Sequence, residues 1–211
     1  MSSADSWRSE IAAQLAESAE VKRMTAAVCG EAILEAARLI SECLRLGGKV
    51  LLCGNGGSAA DAQHIAAELI GRLNGRPRPP LAALALTTDT SVLTALGNDF
   101  GYEGVFERQV EALARPGDVL IAISTSGRSA NLLRAVAAAA GLDVRTVALT
   151  GRDGGSLVDR VALAIRVPSL DTQRVQEAHI AIGHVICSLV ERMLAEEGTE
   201  EERCLTGRAS E

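Results

Sequence analysis

The chain has 211 residues, 47% hydrophobic and 23% charged, which suits one well-buried globular unit with helical additions rather than two domains. Aromatics make up only 2%, so Ala, Leu, Val and Ile must fill the core, and the exposed rings that grip single-stranded nucleic acid are scarce. A formal charge of −6 disfavours polyphosphate backbones, yet a small anion can still be held at a helix N-terminus.

Residues 8–46 carry apolar side chains at helical spacing: Ile11, Leu15, then Met24, Val28, Ile33, Leu34, Ala37, Ile40, Cys43 and Leu44. The pattern predicts helix, in two pieces, closed by Gly47-Gly48. Such an arm cannot bury its stripe alone, so 1–46 is expected to pack on the domain or on another subunit. Short apolar runs follow at 49–53 (KVLLC), 81–86 (LAALAL), 118–124 (DVLIAIS), 145–150 (RTVALT) and 163–167 (LAIRV). Their uniform apolarity suits strands covered on both faces of a parallel sheet. Helical patterns at 58–73, 90–97, 102–114 and 129–140, and a polar link near 153–161, lie between them. The alternation predicts an α/β class with a doubly wound sheet over 47–196. A last helix is expected over 173–195, and a charged tail over 197–211 is expected to lack order.

Five cysteines, at 29, 43, 53, 187 and 204, are odd in number and irregular in spacing, with no CxxC. That argues against a disulfide frame or a zinc knot. The polar start MSSADSWRSEIAAQL does not resemble a signal peptide, and no unbroken apolar run reaches the length of a membrane span. A reducing cytoplasm is the expected compartment.

Three strands run into small-residue loops, CGNGGS, STSGRS and TGRDGG, and in a parallel sheet all three fall at the carboxyl edge where ligands bind. In STSGRSAN (124–131), Ser124, Thr125, Ser126 and Ser129 surround one glycine before a helix. Hydroxyls and backbone N–H groups there can hold a phosphate monoester without lysine. Ser129 reads as an N-cap, which by itself is a common structural role. In GNGGSAAD, Ser58 and Asp61 fit a capping box, Gly56 and Gly57 admit a close ligand, and Asn55 can meet a hydroxyl. A plain turn would explain Asn55-Gly56 equally.

His64 and Glu68, at i and i+4, share one helix face. With His184, and with Gln176, they could form a zinc-type site of nitrogen and oxygen ligands. Gln176 and His184 stand about 12 Å apart along one helix, so a neighbouring subunit is one source for either. Glu177 and His179 read as a solvated face, and Phe100, Tyr102 and Phe106 as a small packing cluster.

The segments GNGGSAADAQHIAAEL, GNDFGYEGVFERQV, GDVLIAISTSGRSANLLRA, VALTGRDGG and RVQEAHIAIGHVICSLVE together resemble the sugar isomerase (SIS) domain family, and within it the phosphoheptose isomerases. The resemblance spans roughly residues 8–195. It implies a flavodoxin-like, three-layer SIS domain with a five-stranded parallel sheet and an N-terminal helical arm. It also implies a homotetramer with active sites at subunit interfaces and one zinc per subunit. The reaction would turn sedoheptulose 7-phosphate into D-glycero-D-manno-heptose 7-phosphate through an enediol, a step toward ADP-heptose for lipopolysaccharide core. Carried over residue by residue, the zinc ligands would be His64, Glu68, Gln176 and His184. The substrate contacts would be Asn55, Gly56, Gly57, Ser58, Glu68, Asn98, Asp99, Ser124, Thr125, Ser126, Ser129 and Gln176. Glu68 would carry the C1/C2 proton and His184 would shuttle protons at the oxygens. A related group with this fold binds the replication initiator DnaA without catalysis. It is the alternative reading; by resemblance it tends to lack the positions filled here by Glu68 and His184, which favours the enzyme.

Overall fold

The computed structural model describes residues 3–72 and 78–207. The first element is one helix, α1 (Ser3–Arg45), where two were expected; no proline interrupts it, and Gly30 sits in open space. It stops at Gly47, whose φ is 80°. There Gly47 N–H bonds the Leu44 carbonyl and Gly48 N–H the Cys43 carbonyl, the paired bonds of a Schellman end.

Five strands follow: β1 (Val50–Gly54), β2 (Ala83–Ala85), β3 (Val119–Ser124), β4 (Arg145–Thr150) and β5 (Leu163–Arg166), all parallel in the order β2-β1-β3-β4-β5. The helices between and after them are α2 (Gly57–Ile70), α3 (Thr90–Phe100), α4 (Glu107–Leu113), α5 (Ala130–Gly141) and α6 (Thr172–Gly207). The predicted helix at 102–114 divides into a 3-10 turn, Tyr102–Gly104, and α4, and the polar link carries a second turn, Val158–Arg160. Strand order reverses between β1 and β3, so their carboxyl ends open the crevice of a doubly wound sheet.

Alternate residues of the central strands feed two cores. Val50, Leu52, Ile121 and Ile123 pack with Ile33, Ile40, Ile65, Leu69, Ile182 and Ile186 from α1, α2 and α6. Leu51, Leu120 and Ala122 pack with Phe106, Val110, Leu132 and Val136 on the opposite face. The second half of α1 thus belongs to the domain core. Its first half leaves Trp7, Ile11 and Leu15 more than 60% exposed, in line with the buried Val21 and Cys29.

Helix α6 corrects one expectation, at His179. Its Thr172–Glu196 portion has the length and mean hydropathy of a membrane span, though no unbroken apolar run; Val175, Ala178, Ile182, Ile186 and Val190 are buried in the core it shares with α1 and α2. The helix is continuous to Gly207, and 208–211 lie outside the described residues. His179 is fully buried rather than solvated, because α6 packs against α1, α2 and β4 together. Burial pushes its imidazole down to about 4, the nearby Thr150 backbone opposing, and neither ring nitrogen has a hydrogen-bond partner of good geometry. Glu177 is partly covered too, 3.1 Å from the buried Arg174, whose guanidinium also donates to the Gln14 carbonyl of α1.

Candidate active site

Helix α2 begins one residue earlier than expected. Its N-cap is Gly56, with no side-chain cap bond, so the Ser58–Asp61 capping box does not form. Ser58 instead lies buried in the first turn. Asp61 keeps a buried, unpartnered carboxylate oxygen, and burial pushes its pKa up while His64 opposes. At Gly57 a Cβ would stand 1.6 Å from the side-chain nitrogen of Gln176. The α6 amide therefore rests on the opening turn of α2.

Asn55 joins the two loops of the crevice. Its amide pairs reciprocally with that of Asn131, at 3.0 and 2.9 Å, and Tyr102 donates its hydroxyl to the Asn55 Oδ1 at 3.0 Å. Both acceptor positions of that oxygen are filled, leaving one N–H for a ligand. Asn131 and Tyr102 were absent from the candidates. The bond to Asn131 spans 76 residues, and only the fold brings its ends together.

In the loop after β3, Ser124 Oγ accepts from Gly127 N–H at 3.0 Å and Ser126 Oγ from Arg128 N–H at 3.3 Å. Gly127 has φ 62°, and a Cβ there would lie 1.8 Å from the Gly154 carbonyl. The loops after β3 and β4 thus press together, and Thr125 O accepts from Gly151 N–H. Ser129 is the N-cap of α5, as expected, but its hydroxyl makes no cap bond. Capping therefore does not use it. A cavity of about 170 Å³ adjoins this loop, bounded by Thr125, Ser126, Arg128, Arg152 and Ser169 among others.

Asn98 donates to Asp99 at 2.7 Å, both exposed at the end of α3; among the described residues no hydrogen bond ties them to the loops. The expected aromatic cluster does not form. Phe106 alone is in the core; Phe100 is exposed under the Arg108 guanidinium at 4.8 Å, and Tyr102 faces Asn55.

On α2, two turns beyond Gly57, His64 and Glu68 meet His184 of α6. A Cβ at Gly183 would fall 2.7 Å from the Ile65 side chain, so that glycine lets the helices close up beside His184. His64 Nε2 lies 2.9 Å from Glu68 Oε1 and 3.0 Å from His184 Nε2, with His184 Nε2 3.3 Å from the same carboxylate oxygen. Donor atoms around a tetrahedral zinc at about 2.05 Å stand about 3.3 Å from one another, so this triangle has the size and donor chemistry of such a site. The other carboxylate oxygen of Glu68 is buried without a hydrogen-bond partner of good geometry. His64 and His184 are 50% and 45% exposed, leaving one side of the triangle open. Gln176 does not join it in this subunit; its amide rests on Gly57, about 10 Å back along α2 from His64.

A family model for the SIS domain matches residues 14–151. The chain is 56% identical to the phosphoheptose isomerase of Aquifex aeolicus, over 85% of this chain and 94% of that one. It is 54% identical to that of Roseiflexus sp., over 93% and 99%. The solved phosphoheptose isomerase of Neisseria gonorrhoeae superposes with a TM-score of 0.83 at 47% identity, covering 88% of this chain and 99% of that one.

Proposed function

The chain belongs to the SIS-domain family and, within it, to the phosphoheptose isomerases, and from that premise we propose that it converts sedoheptulose 7-phosphate into D-glycero-D-manno-heptose 7-phosphate. It is an aldose–ketose isomerase acting on a sugar phosphate. The observation that carries the assignment to residues is the meeting of His64, Glu68 and His184, two of them 120 residues apart, at the end of the helix that opens from the crevice. The alternative, a non-catalytic partner of DnaA, has no support among these relatives, which carry the isomerase name.

In this reading the phosphate sits in the loop after β3, where Ser129 and the hydroxyls of Thr125 and Ser126 meet it. Ser124 holds the loop's shape through its bond to Gly127. Asn55 offers its remaining N–H to a sugar hydroxyl, with Gly56, Gly57 and Ser58 beside it, Gln176 over Gly57, and Asn98 and Asp99 as hydroxyl partners. Binding energy at the phosphate end holds C1 and C2 against the helix pair. Glu68 takes the proton from C1 and returns it to C2, while His184 moves protons at O1 and O2. A zinc ion held by His64, Glu68 and His184, with Gln176 of a neighbouring subunit as fourth ligand, would supply Lewis acidity to the carbonyl and the enediolate. The half-exposed imidazoles and the bare stripe Trp7, Ile11 and Leu15 support a homotetramer whose subunits cover one another's sites, with 1–46 as the assembling arm. The product would feed ADP-heptose for lipopolysaccharide core, in the cytoplasm.

Turnover of sedoheptulose 7-phosphate in deuterated water tests the reaction. Deuterium at C2 of the aldose is expected, with loss of rate under a chelator. Aldose formed without solvent deuterium would reject the enediol route, no aldose would reject the substrate, and full rate under chelation would reject the metal.

A further inference from the structure

We propose that Arg78 is a positioning residue for this site, pinning the end of α2 that carries Glu68 to the helix that carries His184. The proposal rests on the reading of Glu68 given above. Helix α2 ends two residues after Glu68, so its last carbonyls lack partners within the helix. Gly71 N–H takes the Ala67 carbonyl at 2.8 Å and Leu81 N–H the Leu69 carbonyl at 3.2 Å. The Glu68 carbonyl is taken by Arg78 Nη2 at 2.7 Å. The same guanidinium donates Nε to Glu191 Oε1 at 2.7 Å and Nη1 to the Pro79 carbonyl at 3.0 Å.

One rigid fork therefore spans two helices. Glu191 lies two turns beyond His184 on α6, and Arg78 and Glu191 are 13% and 10% exposed, enough burial for the pair to hold a fixed geometry rather than a solvated one. Cys187 lies between His184 and Glu191 on α6, buried; its thiol is pushed up to about 12 by burial first, then by Glu68 and Glu191, with Arg78 opposing. All four side chains share one neighbourhood behind the reacting face. A positive charge at a helix C-terminus is favourable in itself. A lysine would keep that charge but not three bonds in a plane.

The test titrates zinc alone into metal-stripped full-length protein against a chromophoric chelator, beside steady-state kinetics, for wild type, Arg78→Lys and Glu191→Gln. Loss of an outer-shell support typically costs 10- to 100-fold in metal affinity or activity. Arg78→Lys is expected to fall in that range for zinc affinity and for kcat, with KM within twofold, while remaining folded by circular dichroism. Glu191→Gln, which leaves the Glu68 carbonyl bond in place, is expected to show a smaller loss of the same kind, and it decides the matter should Arg78→Lys not fold. A lower melting temperature with wild-type zinc affinity and kcat would reduce Arg78 to a structural cap and overturn the proposal. If the wild type itself binds no zinc, the metal reading fails instead, and kcat of the two variants alone then decides the role of Arg78.

Discussion

In the proposed reading the loop after β3 and the helix pair α2–α6 hold opposite ends of one substrate, and they are built by different means. The loop is built from neighbours in sequence, stiffened by two bonds from backbone amides to serine hydroxyls and one left-handed glycine, and it offers alcohols and amides that carry no titrating charge. The helix pair is assembled across 120 residues from two imidazoles and a carboxylate, each a potential metal ligand and proton carrier. Binding by the first should tolerate partial loss of donors. Chemistry at the second should not.

The sharpest way to break this contrast is Glu68→Gln. We expect kcat to fall by about 10³-fold or more with oligomeric assembly unchanged by gel filtration; retained turnover would remove the proton-carrier role. Next is the acid sensitivity of the helix side. The folded-state value of about 4 for His179 lies below its ordinary 6.5. As pH falls, the unfolded chain takes up that proton first, so this stability is full above 6.5, drains between 6.5 and 4, and is gone below. The loss is about 3 kcal/mol. Denaturant unfolding of His179→Leu should lack that component relative to wild type, and parallel pH curves would refute it. On the loop side, Gly127→Ala must place a methyl group against the Gly154 carbonyl at a left-handed φ, which should cost about 2 kcal/mol in unfolding free energy. The smallest effect is Ser126→Ala, expected to raise KM about tenfold, or about 1.4 kcal/mol, with kcat unchanged. An unaltered KM would take Ser126 out of the phosphate cradle.

The sheet and its helices were legible because each strand is a short, mostly apolar run and each helix a periodic one. The β3 loop was legible for a similar reason: its hydroxyls are contiguous. His64 and Glu68 stood out by spacing and His184 joined them as a candidate ligand by its chemistry, but the glycine that lets its helix approach was overlooked. The capping box failed because Gly57, which must clear Gln176, already belongs to the helix. The solvated reading of His179 failed because a helix touching three elements buries more than one stripe. Asn131 and Tyr102 gave no linear signal, since their partner Asn55 is met only after the chain has crossed the sheet.

Every residue of β1 and β3 is buried, and each of these strands has a partner on both sides. Their amides should be among the slowest in the molecule to exchange with heavy water, opening only when the whole domain does. The glycine turn and the proposed phosphate cradle grow directly out of these two strands, so the ground on which the substrate would land is the ground that fluctuates least. Local breathing would then begin at the thinly paired β2 margin, sparing the crevice until global unfolding.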